Sequence, residues 1–478
     1  LTLNFGLRYD FYSNWRSTGK AGTPAAGLHN PSFLSMDGAY TVGPFRPVDK
    51  PFNHDPVNLG PRFGFAYNPD GRGKTAIRGG FGTMFTHNTA EIGWFGTAIA
   101  PNIPSRQEFE PASISRFGIK YPTYNVGFLQ YVQQLAQEAG TSPRNVFQMF
   151  NPDFQAPYTM QFSLDIQRQL TPTLVLSSGF VGTRGVKLIM FRAANRVDRI
   201  TGLRPNPNLS QPVYSDNSQT LSYYAWQSSL KKRFSNRLSF DVNYTWSKGL
   251  ADGGGDFGAW FTGENSNGLN QEFFDLRSDW GPTAYDLTHF FTAGWVYELP
   301  GLASSGNSFA KHVLGGWQIS GIFRANTGLP VTVTQSSSRP GDRGDFIGGG
   351  PVKFDDYRKT LRYLNRAVFQ LIPVCTRIGT PVPECTSTTT SGAPIRPGNV
   401  GRGSLRELGM WNVDFSVAKS LPIPIREAVR LQLRADMFNA LNHTNLSGLV
   451  TSLNNQNFGQ LLSTRGARVI QIGAVVTF

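Results

Sequence analysis

A transmembrane antiparallel β-barrel is the fold class that this 478-residue sequence predicts, and three observations predict it. Apolar residues recur at every second position in twelve segments. The links between those segments are alternately short and long. Aromatic residues gather near the segment ends, where a membrane protein meets the water–lipid boundary.

The alternation starts at the first residue. Leu1, Leu3, Phe5, Leu7, Tyr9 and Phe11 alternate with Asn4, Arg8 and Asp10. Period two marks a strand with one apolar and one polar face, and about 9–11 tilted residues cross a bilayer. The same pattern carries Phe63, Phe65 and Tyr67 against Arg62 and Gly64, and Ile77, Phe81 and Phe85 against Arg78 and Gly80. Tyr158, Met160, Phe162, Leu164 and Ile166 face away from Gln161, Ser163 and Asp165, and Leu174, Leu176 and Phe180 form a weaker strand. Tyr224, Trp226 and Leu230 precede the clearest case, in which Leu238, Phe240, Val242, Tyr244 and Trp246 alternate with Ser239, Asp241, Asn243, Thr245 and Ser247. Phe291, Ala293, Trp295 and Tyr297 mark the next strand, then Trp317, Ile319 and Phe323 opposite Gln318, Ser320 and Arg324. Trp411, Val413, Phe415 and Val417 oppose Asn412, Asp414 and Ser416. Leu431, Leu433, Ala435 and Met437 oppose Gln432, Arg434 and Asp436. Ile470, Ile472, Ala474, Val476 and Phe478 close the series.

The links separate a barrel from a soluble sandwich, which also alternates along its strands. Short links fall at Asn68 to Gly73, at Gln169 to Pro172, at Ser235-Asn236-Arg237, and near residues 300–313 and 420–428. Long ones occupy about 13–58, 87–153, 184–219, 249–284, 327–409 and 442–465. Short turns on one side and long loops on the other suit an outer-membrane barrel, with the turns periplasmic and the loops outside. The final strand then runs toward the periplasm, and Phe478 sits at the inner rim.

Composition agrees. Aromatics make up 13% and charged residues only 16%, which excludes a disordered chain. No apolar run reaches the roughly 18 residues of a membrane helix, an absence that leaves a barrel open. The opening residues lack the basic and continuous apolar regions of a signal peptide and already read as a strand. The expectation is a chain that begins inside a longer protein. The net charge of +14 is spread along the sequence without a basic run or nucleic-acid motif, so nucleic acid is not an expected partner. Loops, a polar lumen and contact with anionic lipid head groups account for it.

Chemistry-bearing motifs are few. Cys375 and Cys385 lie in a Pro/Thr/Ser-rich stretch and suit a loop disulfide in an oxidising compartment. Free or metal-binding thiols are the alternative, with neither a CxxC pattern nor a nearby His to support metal. The triplet Arg343-Gly344-Asp345 matches a cell-adhesion motif but is short enough to arise by chance. The run from Asp252 to Asp256 lacks the further carboxylates of a calcium loop. The six histidines form no metal-site pair, and no phosphate loop or nucleophile elbow occurs, so neither enzyme activity nor a cofactor is expected. Residues 124–138 space Phe128, Leu129, Val132, Leu135 and Ala136 as one helix face, a short helix in an outer loop.

From Tyr363 onward the sequence resembles the Oar-like TonB-dependent receptors. Tyr363-Leu364-Asn365-Arg366-Ala367-Val368-Phe369 resembles that family's LNPAAF element, with Arg366 in place of proline. Gly398-Asn399-Val400-Gly401-Arg402 follows. The segment Trp411 to Lys419 resembles its WNxDxSxxK strand, and Arg434 to His443 its RAEAFNxxNH element, with Asp436 replacing Glu. Ala467 to Ile472 and Phe478 resemble its final strand, and Asn58 to Tyr67 and Tyr244 to Lys248 also fit. The resemblance implies a barrel of about 22 strands with an N-terminal plug and a TonB box. Neither plug nor box is visible here, so the resemblance implies that residues 1–478 are the C-terminal part of such a barrel. It further implies uptake of a scarce or large ligand (an oligosaccharide, peptide or chelate) driven by TonB through the N-terminal region. A self-contained passive channel and an adhesion or secretion barrel are the alternatives.

Four polar residues form the expected lumen-facing scaffold: Asp414, Arg430, Arg434 and Asp436. The expectation is that Asp414 pairs with Arg430 or Arg434, since a carboxylate withdrawn from water needs a partner. Phe478, a terminal aromatic on an alternating strand, resembles the signal read by the barrel assembly machinery.

Overall fold

The computed structural model describes residues 1–12, 28–29, 46–47, 57–86, 148–151, 153, 155–193, 195–199, 213–253, 270–273, 275–300, 313–337, 341–374, 394–423 and 430–477. Twelve long strands form one antiparallel sheet in chain order. They are β1 (Thr2–Tyr9), β2 (Leu59–Tyr67), β3 (Thr75–Phe85), β4 (Tyr158–Thr171), β5 (Leu174–Ala193) and β6 (Val213–Ser235). Then follow β7 (Leu238–Ala251), β8 (His289–Glu298), β9 (Trp317–Asn326), β10 (Met410–Pro422), β11 (Arg430–Phe438) and β12 (Val469–Thr477). Each segment that alternates in the sequence is a strand, and each pairs with the next.

The register explains the alternation. Phe5, Phe63, Phe81 and Phe162 are successive cross-strand partners, one aromatic row over β1 to β4. Phe180 continues the band and stacks on Tyr224 at 6.2 Å between ring centres. On this face three glycines accommodate a partner's ring: Gly79 opposite Phe65, Gly182 opposite Phe162 and Gly321 opposite Trp295. A Cβ on any of them would come within 2.3–2.4 Å of that ring. Flat rings lying over bare backbone keep the face smooth and the strands in register.

The turns between paired strands are tight. Asn236 and Arg237, joining β6 to β7, both have positive φ (49° and 64°), the conformation of a hairpin turn whose twist matches its strands. At the β4–β5 turn the Thr171 hydroxyl accepts from the Leu174 N–H at 3.1 Å.

The strands β5 and β6 run much further than the sequence pattern predicts, 20 and 23 residues. Beyond Gly185 the register shifts twice, and Lys187 has a positive φ of 54°. Met190, Phe191 and Arg192 are all buried, so no exposed face alternates there. Both exceed the about 9–11 residues with which a tilted strand crosses a bilayer.

The described residues of segments 327–409 and 439–468 fold together at the long-loop end. Val333, Leu364, Val368, Phe369, Val400 and Leu453 are among the buried residues of a shared apolar core. At the lateral limits of the sheet, β1 pairs only with β2 and β12 only with β11. Among the described residues β1 and β12 do not pair, and β1 is exposed along its whole length.

Candidate functional site

Lys231, Asp241, Asp414, Arg430, Arg434 and Asp436 share one face of the sheet. Across β6 and β7 the Lys231 ammonium lies 3.6 Å from Asp241. Arg434 pairs with Asp436 at 2.7 Å. A recess of about 530 Å³ on this face is lined by Lys231, Asp241, Asp414, Ser416, Arg434 and Asp436. The structure corrects the expected partner of Asp414. Arg434 lies opposite Ala418 and Arg430 opposite Pro422. Ala418 is four residues along the strand from Asp414, about 13 Å at strand rise. Asp414 instead accepts from the Asn412 amide at 2.7 Å and from the Asn439 backbone N–H at 2.9 Å. It fixes the end of β11 rather than a charge pair. Arg430 makes no ion pair among the described residues. Cys375, Cys385, Phe478 and the helix expected at 124–138 lie outside the described residues.

Other motif residues are staples at the same rim. Asn439, in a left-handed conformation, accepts from the His443 N–H at 2.9 Å and donates to the His443 carbonyl at 3.0 Å. The His443 ring stacks on Trp411 with centres 3.9 Å apart. Asn445 accepts from the Trp411 N–H and donates to the Trp411 carbonyl. These bonds seat the last long loop on the top of β10.

A network of buried arginines clamps the outer loops together, and sequence reasoning missed it. Arg192, on the upper part of β5, pairs with Asp216 on β6 and donates to the Phe273 carbonyl at 2.8 Å. Arg199 reaches both Glu272 at 2.5 Å and Asp342 at 2.8 Å. Arg402 donates to the carbonyls of Asp279 at 2.6 Å and Gly281 at 3.1 Å. Arg406 pairs with the fully buried Asp286. The Gln271 side chain accepts from the N–H groups of Arg343 and Gly398 and donates to the Gly398 carbonyl. The adhesion-like triplet belongs to this network. Arg343, 4% exposed, lies 3.4 Å from Asp279, and Asp345, 7% exposed, pairs with Arg396, so neither side chain is presented to a partner.

Electrostatics follow from burial. Burial pushes the Asp279 carboxyl up from its ordinary range, and Arg343 pulls it back down. Asp345 moves the other way, because the Arg396 hydrogen bond holds its carboxyl below the usual range. The signal in the sequence was the density of arginine in segments that carry no alternation, together with apolar pairs such as Tyr363-Leu364 and Val368-Phe369.

On the loop unit, a cleft of about 840 Å³ opens between residues 354–371 and 453–460. Asn365 shapes it by capping the short turn at Arg366–Val368, its side chain accepting from the Ala367 N–H at 3.0 Å.

Sequence comparison decides what kind of wall carries these loops. A family model described as an outer membrane beta barrel domain matches residues 1–471. The chain belongs to this family. The barrel strands therefore lie in an outer membrane, and the exposed apolar face of the sheet meets lipid. No curated protein sequence matches the chain significantly. Among solved structures, the outer membrane transporter YddB from Escherichia coli is similar to this barrel at 9% identity and a TM-score of 0.46, over 89% of this chain and 41% of that one. The ferric-catecholate import receptor Fiu from Escherichia coli K12 is similar at 10% identity and 0.41, over 100% and 42%. The siderophore receptor PirA from Acinetobacter baumannii is similar at 10% identity and 0.40, over 88% and 41%. The chain spans about two fifths of the length of each.

Proposed function

We propose that the chain forms the C-terminal part of a TonB-dependent receptor barrel of about 22 strands, which takes up a scarce or large ligand across the outer membrane. The observation that carries this reading is the open sheet, in which β1 and β12 each have a partner on one side only among the described residues. A strand edge in hydrocarbon leaves N–H and C=O groups without partners, at several kcal/mol apiece, so a spanning sheet has to close. Further strands between β12 and β1 would close it. The polar face of β1 to β12 would then line the lumen, with Asp414, Arg430, Arg434 and Asp436 as scaffold. The clamped loops form the outer mouth. TonB would act through a region N-terminal to β1, and Phe478 would serve assembly.

Planar-bilayer recording tests the reading. Residues 1–478 refolded alone are expected to give no stable unit conductance, and the reading frame with its upstream strands a single heat-modifiable barrel. Discrete, long-lived conductance steps from residues 1–478 alone would instead establish a self-contained passive channel.

A further inference from the structure

The loop cleft has a lining that points to a particular ligand chemistry. Arg362 and Arg366 bring two guanidinium groups, and no acidic side chain lines the cleft among the described residues. The Arg362 side chain has no hydrogen-bond or ion-pair partner among the described residues, and Arg366 spends one bond, to the Phe369 carbonyl at 3.4 Å. The Arg366 guanidinium lies over the Phe458 ring, 5.6 Å from its centre, which holds it in place. Asn454 and Asn455 use their side-chain oxygens internally, accepting from the N–H groups of Ser336 and Asn457, so their NH₂ groups are left for a ligand. Gln456 and Gln460 add two more amides.

The backbone holds these groups ready. Arg362 and Gln460 form an antiparallel bridge. The Tyr363 N–H donates to the Gly459 carbonyl at 2.7 Å, and the Leu461 N–H to the Leu361 carbonyl at 2.9 Å. The facing segments are thus stitched together beneath the donors, and little ordering remains to oppose binding. Leu364, Leu371 and Leu453 supply apolar wall between the polar groups.

We propose that this cleft binds an acidic oligosaccharide, its carboxylates taken by Arg362 and Arg366 and its hydroxyls by the amides. Guanidinium groups match carboxylates in shape and charge. The Asn454 and Asn455 NH₂ groups can donate to hydroxyl oxygens, the Gln456 and Gln460 amides can both donate and accept, and the leucines fit the C–H face of a sugar ring. The volume lies in the range of about 300–1,000 Å³ usual for a small-ligand site. An acidic peptide fits less well. Its backbone N–H groups need acceptors, and most of the unspent lining groups are donors. The proposal deepens the uptake reading and rests on it for the biological role, but binding itself is independent of energy coupling.

Isothermal titration of the folded protein in detergent, expressed with its upstream strands, tests the proposal, with trigalacturonate as probe. Maltotriose, triglutamate and inorganic phosphate serve as comparisons. Trigalacturonate is expected to bind, more weakly as salt rises, and at least about tenfold more tightly than maltotriose. Arg362→Gln and Arg366→Gln are each expected to weaken it about tenfold, the scale of one lost charge-assisted bond, and Arg366→Lys less. Both arginines are exposed, so the variants should keep the heat-modifiable band of the folded protein. Binding that ignores both substitutions would overturn the proposal. So would no binding, or triglutamate or phosphate binding as tightly. A passive-channel outcome in the bilayer experiment would leave this titration unaffected, so the two failures are distinguishable.

Discussion

The membrane wall and the outer loop unit bury opposite kinds of residue. In the wall, large apolar side chains stay exposed: Phe5 at 76%, Trp246 at 58% and Ile472 at 83%. In the loop unit they are inside, with Val333 and Val374 at 0% and Ile372 at 1%. The loop unit also encloses its charges, among them Asp279, Arg343 and Arg402, whereas the wall leaves Lys231 and Arg434 partly open. The difference is the solvent. Lipid removes the reason to bury an apolar face, so the wall holds together by its hydrogen-bonded ladder and its aromatic–glycine contacts. Water restores that reason, so loops without regular structure assemble a core, and their stranded backbone groups need the arginine donors.

Breaking the clamp should have the largest effect. Asp279→Ala leaves Arg343 and Arg402 buried near a missing carboxylate, a loss of about 3–5 kcal/mol. The outer loops are expected to become protease-sensitive while the barrel keeps its heat-modifiable band. Simultaneous loss of both would show that wall and loops are one cooperative unit. Ile472→Arg attacks the wall instead. A cation on the lipid face should cost about 2–4 kcal/mol near mid-bilayer, read as lower stability on refolding into vesicles with the loops unaffected. Gly321→Leu forces the Trp295 ring off the neighbouring strand, with an expected cost of about 1–3 kcal/mol in the same refolding measurement.

Acid should act on the loop unit with a defined sign. The Asp345 carboxyl is held below its ordinary range, so its contribution is present above the unfolded value of about 3.9 and is lost as pH falls through the lower folded value. Loop protection from an acid-active protease should persist at pH 5 and decline below about 4. Arg396→Gln should flatten that decline, which separates it from the opposite pull of Asp279. The smallest effect is expected at Arg430→Ala, within about 0.5 kcal/mol, because that side chain has no ion-pair partner among the described residues.

The wall was legible in the sequence because a strand between lipid and a polar lumen writes its two environments on alternate residues. All twelve strands could be placed on that rule. It failed where environments stop alternating, as in the upper halves of β5 and β6, with neighbouring buried residues Met190, Phe191 and Arg192. Asp414, Arg434 and Asp436 could be assigned to one face of β10 and β11, but the partner of Asp414 depends on register, which spacing within a strand does not contain. The clamp was hidden for a further reason. Its ties join residues far apart in the chain, as Arg199 joins the Pro394 carbonyl across 195 positions.

Those distances set an order of events. If strands are placed in sequence order, Arg192 and Arg199 are in position before Asp342 and Pro394, which accept from Arg199, and before Arg402, which donates to the Asp279 carbonyl. Among the described residues, the ties of Arg192 to Asp216, Arg196 to the Asn270 carbonyl and Arg199 to Glu272 do not wait for those segments. In that order the clamp is complete only when the segment between β9 and β10 is in place. A stalled assembly would display an unlatched loop set to the outside, and surface proteases would cut the unfinished molecule before the finished one.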